Sequence, residues 1–256
     1  MTQVGICKLC LKERELQNSH AIPNAYFRRI FRESSGNAIR IVGDEFTEID
    51  YTNDSGKELQ LCRSCESLLN KEYENYTLNI LSGKSHAVTR LGSGVSYGRV
   101  NGERLILFFI SIVWRAANSS QSIYEKVHLT DSISEDFRRS ILYRKAPSSR
   151  LVGVRCQRLI DKTPGGFFRS NLANFIAAPF PRLGKHYASY ILVFAGLIAE
   201  VRIGGFRIKQ RSNRGMLSKK GMVLFVPDID VLSVPEINEV LVRGFGKHFN
   251  GRSRVS

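Results

Sequence analysis

Two pairs of closely spaced cysteines constrain this chain more than any other feature of its sequence. Cys7 and Cys10 enclose two residues in "CKLC", and Cys62 and Cys65 enclose two residues in "CRSC". This spacing lets both sulfurs of a pair face one ion, and two pairs supply the four thiolates that tetrahedral zinc prefers. The sequence therefore predicts a structural zinc site. The alternatives are two unrelated surface pairs or a redox-active pair, although no thioredoxin-like pattern surrounds either pair.

The cysteine content also indicates a reducing compartment. Five cysteines are few for a disulfide scaffold in 256 residues, and "MTQVGICKLC" lacks the pattern of a secretory signal. We therefore expect a cytoplasmic protein. The most apolar run, residues 105–114, is about half the roughly 20 residues that a membrane span needs. It predicts a buried helix, and no membrane partner is expected.

The segments around the cysteine pairs predict a compact zinc module. "AIPNAYFRRIFRE" has helical periodicity, and "AIRIVGDEFTEIDYT" alternates as a hairpin with a Gly-Asp turn does. "CESLLNKEYENYTLNIL" predicts a helix that begins at the second pair and carries an apolar stripe of Leu68, Leu69, Tyr73 and Tyr76. A cysteine knuckle, a hairpin and then a helix is the order of a treble-clef ββα module.

The pattern "C-x-x-C … SHAIP … LCRSCESLL" resembles the HNH, or His-Me finger, endonucleases in their zinc-stapled bacterial form. The resemblance covers about residues 5 to 80. It implies that His20 is the general base that activates water and that Ser19 helps to hold a divalent metal. It also implies that Glu66 and Asn70, one helical turn apart, are the remaining ligands of a catalytic magnesium or manganese ion. A histidine pKa near neutrality suits that base.

Each of these residues also has a purely structural interpretation. Members of the family commonly carry an acid or histidine in place of Ser19, and a histidine or asparagine in place of Glu66. His20 could simply hydrogen-bond its loop, Ser19 could cap the next helix, and Glu66 would favour a helix N-terminus without any metal. Glu72 and Glu74 are either alternative ligands or part of a solvated face.

The charge of the chain predicts a polyanionic partner. The formal net charge is +15, an excess that favours nucleic acid and, with an HNH-like module, double-stranded DNA. Two groups of basic residues are the candidate contacts. The first group lies beside the proposed site and consists of Arg28, Arg29 and Arg32. The second group lies in a run from 202 to 226 that contains no acidic residue, and consists of Arg202, Arg207, Lys209, Arg211, Arg214, Lys219 and Lys220. The run predicts a projecting loop that grips phosphates, or else a solvated hairpin without a partner.

The rest of the chain predicts a second domain. Glycines between about residues 82 and 102 suggest a boundary, giving an HNH-like zinc module at 1–82 and an α+β domain at 83–256. Helices are predicted at 104–117 and from an N-cap at Ser134. Valine- and isoleucine-rich strands follow, one of which buries Cys156, and a helix closes the chain. The predicted fold class is α+β, with a treble-clef module followed by helices and a small, mostly antiparallel sheet.

Three functions are compatible with these features. The first is a metal-dependent HNH-like endonuclease acting on DNA, and the resemblance suggests a role in bacterial defence. The second is a zinc module that has lost its chemistry and binds nucleic acid. The third is an adaptor whose C-terminal sheet recruits a partner protein or a second copy of the chain.

Overall fold

A computed structural model describes residues 3–26, 38–41, 50–52, 57–83, 87–185 and 187–238. Arg28, Arg29 and Arg32 lie outside these residues. So do most of the helix predicted after Pro23, of which residues 24–26 are helical, and most of the predicted C-terminal helix, of which residues 235–238 are helical.

The two cysteine pairs lie on a small antiparallel sheet and the helix that follows it. The sheet has the order β1-β2-β5, built from β1 (Gln3–Ile6), β2 (Glu13–His20) and β5 (Lys57–Cys62). Helix α1 (Arg63–Leu69) begins directly after β5. Two strands followed by a helix give a ββα arrangement, but its strands are β2 and β5, whereas the hairpin predicted between the cysteine pairs belongs to the large sheet.

A π-helical turn interrupts the helix predicted after the second cysteine pair. Helix α1 runs into a π turn (Asn70–Glu74) and then into α2 (Asn75–Leu81). The extra residue of a π turn shifts the phase of the side chains that follow it. Of the predicted stripe, Leu69 and Tyr73 are buried, and the Tyr73 hydroxyl donates to the Ile141 carbonyl at 2.7 Å. Leu68 and Tyr76 are half-buried against the same core, and Ile80, which was not predicted, is buried with it.

The remaining strands within the described residues form one mixed sheet of nine, in the order β4-β3-β9-β10-β11-β8-β12-β7-β6. Only the β3–β9 and β8–β12 pairs are parallel. The strands are β3 (Ala38–Ile41), β4 (Asp50–Thr52), β6 (Val88–Leu91), β7 (Gly94–Gly98), β8 (Val152–Ile160), β9 (Phe175–Gly184), β10 (Tyr187–Phe194), β11 (Leu197–Ile203) and β12 (Val223–Asp230). The predicted α+β class is confirmed, and β3 pairs antiparallel with β4 as the hairpin prediction requires.

Two parts of this sheet were not predicted. The glycine-rich segment at 82–102, which predicts a domain boundary, contains the β6–β7 hairpin, and β7 pairs with β12. Strand β9 contains Pro179 and Pro181, which obscured its strand character. Among the described residues β9 pairs with β3 only from Phe175 to Ala177, before both prolines, so neither proline interrupts that ladder.

The two longer helices lie on one face of the large sheet, and a short helix lies on the other face. Helix α3 (Gly102–Ala117) is buried along nearly its whole length, as predicted, and Asn101 caps it by accepting from the Arg104 backbone N–H at 3.0 Å. Helix α4 (Asp131–Leu142) packs on α3, and its N-cap is Thr130 rather than the predicted Ser134. A short α5 (Arg169–Ala173) precedes β9. No helix in the described part of the chain is long and apolar enough to cross a membrane.

The zinc module and the large sheet share a continuous core. Buried Leu9, Leu61 and Leu69 of the module belong to the same hydrophobic cluster as Phe108 of α3 and Leu192 of β10. A smaller cluster covers the other face of the sheet and is formed by residues that include Leu159, Leu172, Ile191, Val193 and Val231. Strand β10 is thus apolar on both faces because both are buried. The boundary at residue 82 stays a prediction.

Candidate functional site

The four predicted zinc ligands lie together. Their sulfur atoms are all within 4.8 Å of one another, and Cys10 Sγ is 3.9 Å from Cys62 Sγ. A tetrahedral site with Zn–S bonds of about 2.3 Å places its sulfurs about 3.8 Å apart. The cluster Cys7, Cys10, Cys62 and Cys65 therefore fits a zinc ion.

Local backbone geometry positions each cysteine pair. In the β1–β2 turn the Leu11 N–H donates to the Cys7 carbonyl at 2.8 Å, and the Cys7 N–H donates to the Lys12 carbonyl at 3.0 Å. This knuckle requires a left-handed backbone at Leu11, whose φ is +58°. In the second pair, Cys62 ends β5 and Cys65 lies in the first turn of α1. The Cys62 N–H donates to Cys7 Sγ at 3.3 Å, so the two pairs support each other.

Hydrogen bonds and burial shift the pKa values of the cysteine thiols in the cluster. A hydrogen bond from Cys65, aided by nearby backbone N–H groups, lowers the pKa of the Cys7 thiol to about 4. The same hydrogen bond raises the pKa of Cys65, because the two sulfurs share one proton, and burial raises the pKa of Cys10. The thiolate of Cys7 is thus favoured, and zinc binding at the cluster would release the remaining thiol protons.

His20 lies at the end of the strand that leads away from the first knuckle. It is the last residue of β2, is half-buried and pairs with Lys57 of β5, one position beyond the Ser19–Glu58 pair. Ser19 is 3 % exposed. The proposed base is therefore at the rim of the small sheet, with its neighbour Ser19 pointing into the protein.

A hydrogen bond joins this strand end to the first turn of α1. Ser19 Oγ donates to Glu66 Oε1, and Glu66 directly follows Cys65. Burial raises the pKa of the Glu66 carboxyl, while the charge of Arg115 and the Ser19 hydrogen bond oppose the increase. Two of the predicted metal-binding residues are thus in direct contact.

Asn70 has a different environment from Glu66. It is exposed, and its Oδ1 accepts from Asn75 Nδ2 at 2.6 Å across the π turn. Among the described residues, only the four cysteines form a group of three or more histidine, cysteine or acidic side chains whose ligand atoms lie together. A preformed second metal site comparable to the cysteine cluster is therefore not present in that part of the chain.

Arg115 belongs to this region and was not predicted as part of the site, whereas Glu74 was predicted as an alternative ligand or as part of a solvated face. Arg115 of α3 is 1 % exposed, and its Nη2 is 2.8 Å from Glu74 Oε1. Glu74 faces Glu66 closely enough to raise the pKa of that carboxyl. The signal in the sequence was a charged residue at the end of an apolar helical run. Glu72, the other alternative ligand, pairs with Arg104 at 3.4 Å and Arg144 at 3.6 Å.

The predicted phosphate-binding run 202–220 is folded against the protein rather than wholly projecting. Arg202 pairs with Glu200 at 2.7 Å and stacks on Tyr187 and Phe206. Arg214 lies over the ring of Phe225, at 5.2 Å from its centroid. Arg211 and Lys219 donate to backbone carbonyls. Four of the seven are exposed to solvent: Arg207, Lys209, Arg214 and Lys220.

Comparison with known proteins returns no match for this chain. No protein-family model, curated protein or solved structure is significantly similar to it.

Proposed function

We propose that this chain is a zinc-stapled, metal-dependent endonuclease that hydrolyses the phosphodiester bonds of DNA. The observation that carries the proposal is the Ser19–Glu66 hydrogen bond, because it holds a first-turn carboxylate of α1 beside the strand end that bears His20. The antiparallel β2–β5 pair, the following helix and the cysteine cluster support the same arrangement. A reducing cytoplasmic setting is part of the proposal, because the cluster requires thiolates.

His20 acts as the general base in this proposal. It takes a proton from water, the hydroxyl oxygen bonds to phosphorus, and the bond from phosphorus to the leaving oxygen breaks. The leaving alkoxide then takes a proton from a second water molecule. One oxygen of Glu66 accepts from Ser19, which fixes the carboxylate and leaves its other oxygen to contact a hard cation.

A divalent ion is the second requirement. Magnesium or manganese would neutralise charge that develops on the phosphoryl oxygens. Glu66 would hold it, with the side-chain oxygens of Ser19 and Asn70 as further ligands. Magnesium commonly binds through one or two carboxylates together with water and substrate phosphate, so one carboxylate at this position suits it.

The test is cleavage of supercoiled plasmid by zinc-loaded protein in magnesium or manganese. We expect nicking by the wild type and loss of at least 100-fold in rate for His20→Ala, the scale of general-base catalysis. His128→Ala is the matched control, because the His128 side chain is exposed on a loop before α4. Zinc content is assayed in all three proteins. Equal cleavage by wild type and His20→Ala, with zinc retained, would exclude His20 as the base.

The second candidate is a nucleic-acid-binding module without catalysis. It is favoured by the fact that the candidate ligands already bond to groups of the chain: Ser19 to Glu66, Asn70 to Asn75 and Glu74 to Arg115. This function predicts that the plasmid stays intact with every metal while its mobility shifts. The shift should weaken steeply as salt increases, because phosphate contacts release counterions.

A further inference from the structure

The basic segment encloses a cavity. Residues 206–220 fold back over β8 and, with residues 147–149 and the start of α3, surround a space of about 480 Å³. Pockets that hold small ligands and cofactors measure roughly 300–1,000 Å³. Ser218 and Lys220 on its wall are exposed, so the cavity is accessible from solvent.

Glycines let the wall approach the sheet closely. A Cβ on Gly153 would lie 2.3 Å from Cδ2 of Phe206, so only glycine allows that ring to lie against β8. Gly205 has a φ of +69°, and a Cβ there would lie 2.1 Å from the Ser149 carbonyl oxygen. The cavity wall is therefore fixed by the backbone and does not depend on mobile side chains alone.

The charged part of the wall suits an anion. Its cations are Arg211, Lys219 and Lys220, and none of the described lining residues is acidic. Arg211 donates from Nε to the Phe206 carbonyl at 2.8 Å and from Nη1 to Ser149 Oγ at 3.1 Å. These bonds orient the guanidinium while using two of its five N–H donors. A preoriented guanidinium beside two ammonium groups matches a phosphate dianion.

The rest of the wall is apolar, with hydroxyl groups beside the cations. Ile106, Val152, Val154 and Leu217 supply aliphatic surface, and Ser148 and Ser218 supply hydroxyl groups. Inorganic phosphate would leave the aliphatic surface uncovered. An aliphatic carboxylate would match that surface but not three cations and several hydroxyl groups. A molecule with a flat ring system, polar groups at the edge of the ring and a phosphate dianion matches both the aliphatic and the charged parts of the wall.

We propose that this cavity binds a nucleoside 5′-monophosphate, either as the free nucleotide or as the phosphorylated end of a strand. The phosphate contacts Arg211, Lys219 and Lys220, and the nucleoside covers the aliphatic wall. The site is separate from the candidate catalytic site: Ile106 and Arg115 are nine residues apart on α3, about 14 Å along its axis. The proposal does not depend on nuclease activity.

The test is isothermal titration calorimetry on the full, zinc-loaded chain without magnesium or manganese. The probes are the four common ribonucleoside 5′-monophosphates, with inorganic phosphate, adenosine and decanoate as partial ligands. We expect at least one nucleotide to bind tenfold or more tightly than every partial ligand. Lys220→Glu should weaken it at least tenfold. Lys209→Glu is the matched control, because Lys209 is exposed on the same segment but does not line the cavity.

Further measurements test whether the ligand is a free nucleotide or a strand end, and whether the variants are folded. A 5′-phosphorylated trinucleotide that displaces the nucleotide assigns the site to strand ends, whereas one that fails to displace it assigns the site to free nucleotides. Arg211→Lys keeps the charge but loses the oriented guanidinium, and should weaken binding while the thermal midpoint stays within a few degrees. His20→Ala should bind as the wild type does. The proposal is overturned if no nucleotide binds at millimolar concentration, if phosphate or decanoate binds as tightly, or if Lys220→Glu and Lys209→Glu behave alike.

Discussion

The knuckle that carries Cys7 and Cys10 depends on a single strained residue. Leu11 has a φ of +58°, a backbone conformation that favours glycine. Its side chain is 56 % exposed, so burial of the side chain does little to offset the strain. A left-handed conformation costs a side chain about 1–2 kcal/mol, and most for β-branched residues. Its presence indicates that the hydrogen bonds of the knuckle outweigh this strain.

Substitutions at Leu11 should therefore depend on backbone preference more than on hydrophobicity. We expect Leu11→Val to lower the free energy of unfolding by about 1–2 kcal/mol, because a β-branched side chain disfavours this φ. Leu11→Gly should stay within about 1 kcal/mol of the wild type. Urea unfolding of the zinc-loaded proteins measures both changes.

An exposed leucine in a strand gives the matched control for this test. Leu183 of β9 is 78 % exposed, and Leu183→Gly should cost about 1 kcal/mol, because glycine weakens a strand that needs no left-handed residue. If Leu11→Gly is as destabilising as Leu11→Val, then side-chain contacts rather than backbone strain determine the stability of the knuckle.

Glu200 gives a pH-dependent contribution to stability. It is 4 % exposed and accepts from Ser189 at 2.8 Å and from Arg202 at 2.7 Å, with Arg155 at 2.9 Å. Burial alone would raise the pKa of Glu200, but the hydrogen bonds from Ser189 and Arg202 and the charge of Arg155 lower it below its ordinary value. A carboxyl with a lowered pKa stabilises the fold above its unfolded-state pKa, and this stabilisation is lost as pH falls through the folded-state pKa.

We expect Glu200→Gln to be destabilised by about 3 kcal/mol at pH 7, since it leaves two arginines without a buried partner charge. The difference from the wild type should begin to shrink below about pH 4.5, where the unfolded carboxyl takes up a proton, and should shrink further as pH falls through the lower pKa of Glu200 in the folded state. Urea unfolding between pH 3 and 7 measures it. Glu135→Gln, at an exposed ion pair with Arg138, should change much less at every pH. A Glu200→Gln penalty that is constant with pH would contradict this account.

At the scale of elements, the helices and strands with strong local sequence patterns were predicted correctly, whereas those that depend on contacts with distant parts of the chain were missed. The two C-x-x-C pairs and the apolar periods of α3, β8 and β10 led to correct predictions because each pattern is contained in one segment. Strand β9 and the β6–β7 hairpin were missed because their prolines and glycines are tolerated only through pairing with distant strands. The Glu74–Arg115 pair was missed because its partners are 41 residues apart.

The Glu74–Arg115 pair is a buried ion pair between the π turn and α3. Arg115→Met leaves Glu74 without its cation in a place where it is 13 % exposed, and should cost about 3 kcal/mol. Adding Glu74→Gln to Arg115→Met should recover part of that loss, because no charge is then left buried. A double-mutant cycle by urea unfolding measures the coupling.

Arg104 on the same helix provides the control for this pair. It contacts Glu72 at 3.4 Å with both side chains about one-third exposed, so solvent screens the pair. Glu72→Gln removes this ion pair while Arg104 keeps its hydrogen bonds to the carbonyls of Glu72 and Lys71, and it should therefore cost no more than about 1 kcal/mol. Equal costs for Glu72→Gln and Glu74→Gln would mean that burial of the Glu74–Arg115 pair contributes nothing.

At the scale of the whole molecule, the shared core implies that zinc bound by the four cysteines would stabilise more than the segments that carry them. Leu9, Leu61 and Leu69 lie in one cluster with residues of α3 and the large sheet, and β3 from the segment between the cysteine pairs joins that sheet beside β9. A ligand that binds only the folded state stabilises every element that unfolds with its site. Loss of zinc should therefore affect residues far beyond position 82.

Trp114 makes this expectation measurable. It is the single tryptophan, is 1 % exposed and belongs to α3, outside the predicted zinc module. During titration with a strong chelator at moderate urea, we expect its fluorescence to shift to the red in step with zinc release, reported by a coloured zinc indicator. Cys65→Ser should lower the urea midpoint for Trp114, whereas Cys156→Ser, at a buried cysteine outside the cluster, should leave zinc content unchanged. Zinc release that precedes the Trp114 transition would instead show two independently stable parts, and would favour the predicted boundary near residue 82.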